Sequence, residues 1–204
     1  MTKPDASSNQ PQSLPFPPGF AEALDALVAR GRQVTIVGAA MILVGSAAMA
    51  HVGFAQTPST VPTAIAMGLC ALLELGVGHN AKGGREAGAP STPWDAAGAL
   101  WAGAAVVTAL SPLLPSLVFS TLAGLLLIGA GWVRLRASTL INSRRKSPML
   151  PISGSATILI GVLLVTRWAG DAQTAVAGLL ALDMLATGWG LIALSVTLRR
   201  LSVS

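Results

Sequence analysis

The sequence predicts an all-α membrane protein with six transmembrane helices, arranged as three tandem two-helix hairpin repeats with both termini in the cytoplasm (N-in/C-in). Three observations predict it. Of 204 residues, 52% are apolar and only 10% charged, and mean hydropathy is +0.67, against roughly 25% charged in soluble domains. The apolar residues form six continuous stretches, each long enough to cross about 30 Å of hydrocarbon at 1.5 Å per residue. Every Lys and Arg except Arg167 falls on one side of those stretches, the asymmetry that orients a chain in a membrane.

Residues 1–19 hold Pro4, Pro11, Pro15, Pro17 and Pro18 among Ser, Asn and Gln. Too few apolar side chains are present to form a core, so this segment reads as a disordered cytoplasmic tail. Phe20, Leu24, Leu27 and Val28 then recur at helical spacing, with Glu22, Asp25 and Arg30 on other faces. Residues 20–33 read as an amphipathic helix lying on the membrane surface, or as the frayed start of the first span.

The six spans fall at about 34–54, 62–79, 94–110, 116–135, 151–168 and 174–198. Pro58 and Pro62 bracket the first turn, a Gly-rich polar loop covers 80–92, and a tight turn occupies 111–115. A polar segment at 137–148 and a short turn at 169–173 complete the connections. The prolines sit at starts and turns, where a missing N–H costs little. A β-barrel would alternate apolar and polar residues, and these runs are continuous.

Charge sets the orientation. The N-terminal segment has Lys3, Arg30 and Arg32, the second-to-third loop Lys82 and Arg85, and the C-terminus Arg199 and Arg200. The fourth-to-fifth segment adds Arg134, Arg136, Arg144, Arg145 and Lys146. An even number of spans puts them all inside, in a bacterial inner membrane. The net charge of +5 is thus a topology signal. No continuous basic face with stacking aromatics exists, and Tyr is absent, which excludes a nucleic-acid reader. Arg144, Arg145 and Lys146 also suit anionic lipid headgroups. Cys70, the sole cysteine, lies in an apolar run and reads as a small buried hydrophobe. Ala48-Met49-Ala50 resembles a signal-peptidase site, but the long polar tail ahead of it argues against cleavage.

The hairpins repeat. Gly38 and Gly45 in the first helix match Gly154 and Gly161 in the fifth, while Gly131-Trp132 and Gly188-Trp189 match near the ends of the fourth and sixth. Gly78-His79 holds the corresponding place in the second helix. Each unit spans about 58 residues and crosses twice, so the repeat is parallel. Glycines seven apart return to nearly one face, so Gly38, Gly45, Gly154 and Gly161 read as helix-packing positions.

With these Gly-spaced odd helices, Pro-containing outer turns, and even helices ending Gly131-Trp132-Val133-Arg134-Leu135-Arg136 or Gly188-Trp189-Gly190-Leu191-Ile192-Ala193-Leu194, the chain resembles the HdeD acid-resistance membrane proteins. The resemblance covers roughly 33–201. It implies an inner-membrane protein linked to acid or general stress response, and brings no catalytic residues with it. The Pro-rich tail, the loop at Gly83-Gly84, and Glu74 depart from the family pattern.

Three ionisable residues lie within the runs: Asp183 mid-way along the sixth, Glu74 in the inner third of the second, and His51 near the outer end of the first. A central Asp costs about 2.5–3.5 kcal/mol on an insertion scale, and the ten Leu, Ile and Val residues from Val176 to Leu198 offset it by roughly 3–6. Asp183 is therefore expected to face the bundle interior, carrying a proton or a hydrogen-bond partner such as Thr187. Asp183 and Glu74 are candidate proton-responsive groups or, alternatively, interhelical hydrogen-bonding groups; His51 is a weaker candidate. The repeat aligns Asp183 with Leu73, so no symmetric pair of acids is implied. Trp94, Trp132 and Trp168 suit the membrane interfaces, and Trp101 and Trp189 lie deeper. Arg167 and Asp171, four apart, suit a surface ion pair of little energetic weight.

Enzyme templates do not fit. Gly83-Gly84 lacks a following Lys-Ser/Thr, neither His51 nor His79 has a partner at metal-ligand spacing, and no cofactor motif is present. The expectation is a non-enzymatic, stress-associated membrane protein acting through its bundle, a membrane-protein partner or a homo-oligomer. The alternative is a small transporter or channel passing protons or cations along Glu74 and Asp183.

Overall fold

The computed structural model describes residues 31–54, 60–81, 93–142, 149–168 and 173–201. Among them are six α-helices and no strand: α1 Gly31–Phe54, α2 Val61–Ala81, α3 Pro93–Ala109, α4 Ser116–Asn142, α5 Met149–Val165 and α6 Gln173–Leu201. Outside the described residues lie the expected tail, most of the interfacial helix, the Gly83-Gly84 loop, Asp171, and the Arg144, Arg145 and Lys146 cluster. Each expected span coincides with a helix. The largest difference is at α4, which continues past the expected end at 135.

Helix starts follow the prolines. Pro93 opens α3, Pro62 stands in the first turn of α2, and Ser111–Leu113 forms a 3₁₀ turn with Pro112 at its start. α5 stops differently. The Trp168 amide donates to the Leu163 carbonyl at 3.0 Å and the Arg167 amide to Leu164 at 3.1 Å, with Arg167 at φ 53. That is a Schellman ending, with Arg167 in the left-handed position usually filled by glycine.

Four segments, Gly31–Phe54, Val61–His79, Ser116–Thr139 and Ala175–Val196, are long and apolar enough to cross a membrane, and Pro151–Val165 is apolar but shorter. Large apolar side chains cover the outside, among them Leu43 at 72% exposure and Leu72 at 66%. Water would not tolerate so extensive an apolar surface, whereas acyl chains match it. The architecture is that of a helical membrane protein.

The helices close into a ring. Each packs on its chain neighbours, and α6 packs broadly on α1. The most extensive interfaces are α4 with α5, α1 with α6, and α2 with α3, so the closest partners are not the helices of one expected hairpin. Glycine explains two of them. A Cβ on Gly38 would lie 2.8 Å from the Gly188 carbonyl oxygen, and one on Gly131 would lie 2.7 Å from that of Gly154. Gly124 and Gly161 meet in the same way, and Gly45 faces Met184. The backbones touch, and the packing energy comes from that close approach. These contacts make both helix pairs antiparallel. Thr35 Oγ1 and Ser195 Oγ, 2.6 Å apart, place the start of α1 beside the end of α6. Both helices therefore reach the same end of the bundle, here called the terminal end.

Candidate functional site

Each helix turns one narrow stripe inward. On α2 the stripe is Thr63, Met67, Cys70, Glu74 and Val77; on α4 it is Phe119, Ala123, Leu127, Ala130 and Arg134; on α6 it is Val176, Leu180, Asp183, Thr187, Leu191 and Leu194. The three- and four-residue spacing is that of a single helix face. These stripes bring two carboxyl groups and one guanidinium together inside the ring.

Arg134 is the hub. It is 8% exposed, which corrects its counting among the exposed charges of the fourth-to-fifth segment. α4 continues to Asn142, so Arg134 faces the bundle while Arg136 points outward. Without it, every other Lys and Arg except Arg167 still falls on the side expected to be cytoplasmic. Arg134 grips Glu74 with two bonds: Nε donates to Oε1 at 3.1 Å and Nη2 to Oε2 at 2.7 Å. This planar fork is the strongest geometry available to an ion pair. Nη1 donates to Thr157 Oγ1 at 3.1 Å and Thr187 Oγ1 at 3.0 Å. Trp101, fully buried on α3, presents its ring 5.0 Å from the guanidinium carbon, a cation–π contact.

Thr157 extends the network to Asp183. Its hydroxyl donates to Asp183 Oδ1 at 2.6 Å, with the Ser153 carbonyl as a second acceptor at 3.2 Å. The partner of Asp183 is therefore Thr157 on the neighbouring helix. The expected partner Thr187 instead accepts from Arg134. Asp183 Oδ2 is buried with no hydrogen-bond partner. The network thus spans α2, α4, α5 and α6 and holds two acidic groups against one permanent cation.

Removing the linking hydroxyl tests this wiring. Thr157→Val preserves shape but leaves Asp183 Oδ1 and one Arg134 N–H without partners. Thermal denaturation in detergent should show a loss of about 1–3 kcal/mol. Thr166→Val, whose exposed hydroxyl bonds only backbone of its own helix, should leave stability unchanged.

A cavity of about 30 Å³ adjoins the pair on its terminal-end side, lined by Glu74, Arg134, Thr187, Ser153, Trp94 and Leu194 among others. Trp94 is therefore a buried wall rather than an interfacial anchor, while Trp132, Trp168 and Trp189 are exposed on the outer surface. His51, near the opposite end of α1, has a buried Nε2 without a hydrogen-bond partner and takes no part in the network. His79 is exposed in the last turn of α2. Gly38, Gly45, Gly154 and Gly161 all lie at the α1–α6 and α4–α5 contacts. Cys70 is buried and free.

The sequence reading singled out both acids but missed what joins them. Arg134, Thr157 and Trp101 come from three helices that supply no acid to the network. Their one sequence signal is the inward stripe, on which Arg134 follows Ala123, Leu127 and Ala130 at helical spacing. No family model matches the chain, and neither a curated protein nor a solved structure matches it.

Proposed function

We propose that the chain is a non-enzymatic bacterial inner-membrane protein of the HdeD kind, associated with acid or general stress, and that the Glu74–Arg134–Thr157–Asp183 network is its proton-responsive centre. Six spans in three parallel hairpin units, with both termini cytoplasmic, complete the reading. The ring supports the repeat, because each of its most extensive interfaces joins the even helix of one unit to the odd helix of the next. α3 and α5, each of 17 residues, extend about 25 Å, and the turns that follow them lengthen the path.

The observation that carries the proposal is the buried ion pair wired to a second, incompletely bonded acid. Ionisable groups inside a membrane bundle are expensive and are retained where they do work. Two acids on one cation form a set whose balance shifts when a proton binds. At low pH such a set reorganises the helices that hold it, and no substrate chemistry is needed.

Deleting the gene should lower survival at low pH, the wild-type gene should restore it, and Asp183→Asn should fail to restore it while accumulating normally in the membrane. Undiminished survival of the deletion strain would remove the stress role. The cavity beside the ion pair favours a second reading, in which the same groups pass protons or cations. Reconstituted protein should then support a flux that Asp183→Asn abolishes, and absence of flux under every imposed gradient rejects that reading.

A further inference from the structure

Two ends of the bundle treat Asp183 differently. Toward the terminal end, the cavity reaches Thr187, one turn from Asp183 on the same face of α6, and Ser153, whose carbonyl is the alternative acceptor for Thr157. At about 30 Å³ the cavity has room for about two waters. The Glu74 carboxylate, the Ser153 and Thr187 hydroxyls, and the Nη2–H that Arg134 does not spend on Glu74 provide partners for them. Toward the other end, the fully buried Leu180, Met67, Leu127 and Leu164 fill the interior. Beyond them Thr60 and Ser111 bond to each other through their hydroxyls at 2.6 Å. Asp183 itself does not line the cavity, whose wall comes within one turn of it at Thr187, whereas packed apolar side chains stand on its other side.

We propose that Asp183 binds and releases a proton through this cavity alone, so that it samples the pH of the compartment at the terminal end, the cytoplasm in the topology above. The inference rests on the network being proton-responsive and adds the side from which it responds.

The hydrogen bonds accommodate both forms. With Asp183 ionised, Thr157 donates to Oδ1. With a proton on Oδ1, Asp183 donates to Thr157 Oγ1, and Thr157 turns its own hydrogen to the Ser153 carbonyl. The proton comes from water in the cavity and returns there; no other bond changes. The charged and titratable groups whose fields reach Asp183 are Arg134 from α4 and Glu74 and Cys70 from α2. α5 contributes the Thr157 hydroxyl. Arg32 and His51 of α1 lie near the two ends of that helix, and Asp95 lies in the first turn of α3.

Dicyclohexylcarbodiimide, a membrane-soluble reagent for protonated buried carboxyl groups, reads the site directly. The carboxyl proton adds to a carbodiimide nitrogen, the carboxylate oxygen bonds to the central carbon, and an acyl shift leaves a stable N-acylurea with no leaving group. The full-length chain is reconstituted in vesicles sorted by orientation, and the pH on each face is set separately. Mass spectrometry of the Asp183 peptide should show labelling that rises several-fold when the terminal face is acidified and stays constant when the opposite face is. Sidedness is read on the wild-type chain, so no variant has to fold; Asp183→Asn serves only to assign the label. Labelling that follows the opposite face, follows both faces, or never occurs at Asp183 would overturn the inference. One-sided labelling combined with normal acid survival of the deletion strain would sink the stress role and leave this inference standing.

Discussion

Arg134→Met should lower the stability of the purified protein by about 3–5 kcal/mol, the usual result of deleting one partner of a buried ion pair. Four of its hydrogen bonds are described, two to Glu74 and one each to Thr157 and Thr187. Methionine fills much of the volume but leaves the Glu74 carboxylate inside the ring without its cation. The cost is that of an orphaned charge, since truncating one partner exposes the full desolvation penalty of the other. Two further variants separate this from loss of packing. Arg134→Met combined with Glu74→Gln removes both charges and should recover a large part of the loss. Arg134→Lys keeps the charge but not the fork, and should recover little, because an ammonium cannot reach both carboxylate oxygens and two threonines in one geometry. Thermal unfolding in detergent, followed by aggregation on size exclusion, measures all three. A double variant no more stable than Arg134→Met would show that the guanidinium is held for its bulk.

How far the sequence revealed this arrangement depends on which forces act locally. Continuous apolar runs mark helices because hydrocarbon leaves the backbone no other way to satisfy its hydrogen bonds, and each expected span coincides with a helix. Gly38 and Gly154 showed their packing role because a small residue at helical spacing has few other uses in lipid. Arg134 misled for an equally physical reason: it stands two residues before Arg136 at the edge of an apolar run, where basic residues ordinarily mark the cytoplasmic face. Only the stripe of buried residues ahead of it, Ala123, Leu127 and Ala130, separates the two, turning Arg134 inward and Arg136 outward. The link from Glu74 to Asp183 was hidden more deeply. It passes through side chains of α4 and α5, and neither acid's local sequence specifies which helices stand opposite. The cavity is likewise a property of how five helices meet, and no segment encodes it alone.

The second large effect concerns the contact that holds those helices in place. Gly131→Leu should prevent recovery of a folded, monodisperse protein, and Gly131→Ala alone should cost about 1–3 kcal/mol. A Cβ there would lie 2.7 Å from the Gly154 carbonyl oxygen and 2.9 Å from the Ile158 amide nitrogen. Both are backbone atoms, so no rotamer change relieves the clash and the two helices must move apart. Gly76 is the control, since a Cβ there meets nothing within 4 Å. Gly76→Ala in a helix interior should be neutral or add about 0.5–1 kcal/mol. Thermal unfolding of the two alanine variants under one detergent condition compares them, and equal stability would mean that backbone contact does not govern the α4–α5 interface. The consequence reaches the polar network. Arg134 follows Gly131 by about one turn of α4, and Thr157 follows Gly154 by about one turn of α5, so a wedge at the glycine contact lengthens the bond from Arg134 Nη1 to Thr157 Oγ1. Gly131→Ala should therefore change the labelling of Asp183 as well as the melting temperature, although it touches no ionisable group. Close backbone packing and the bonding of the buried acid are then two expressions of one helix separation.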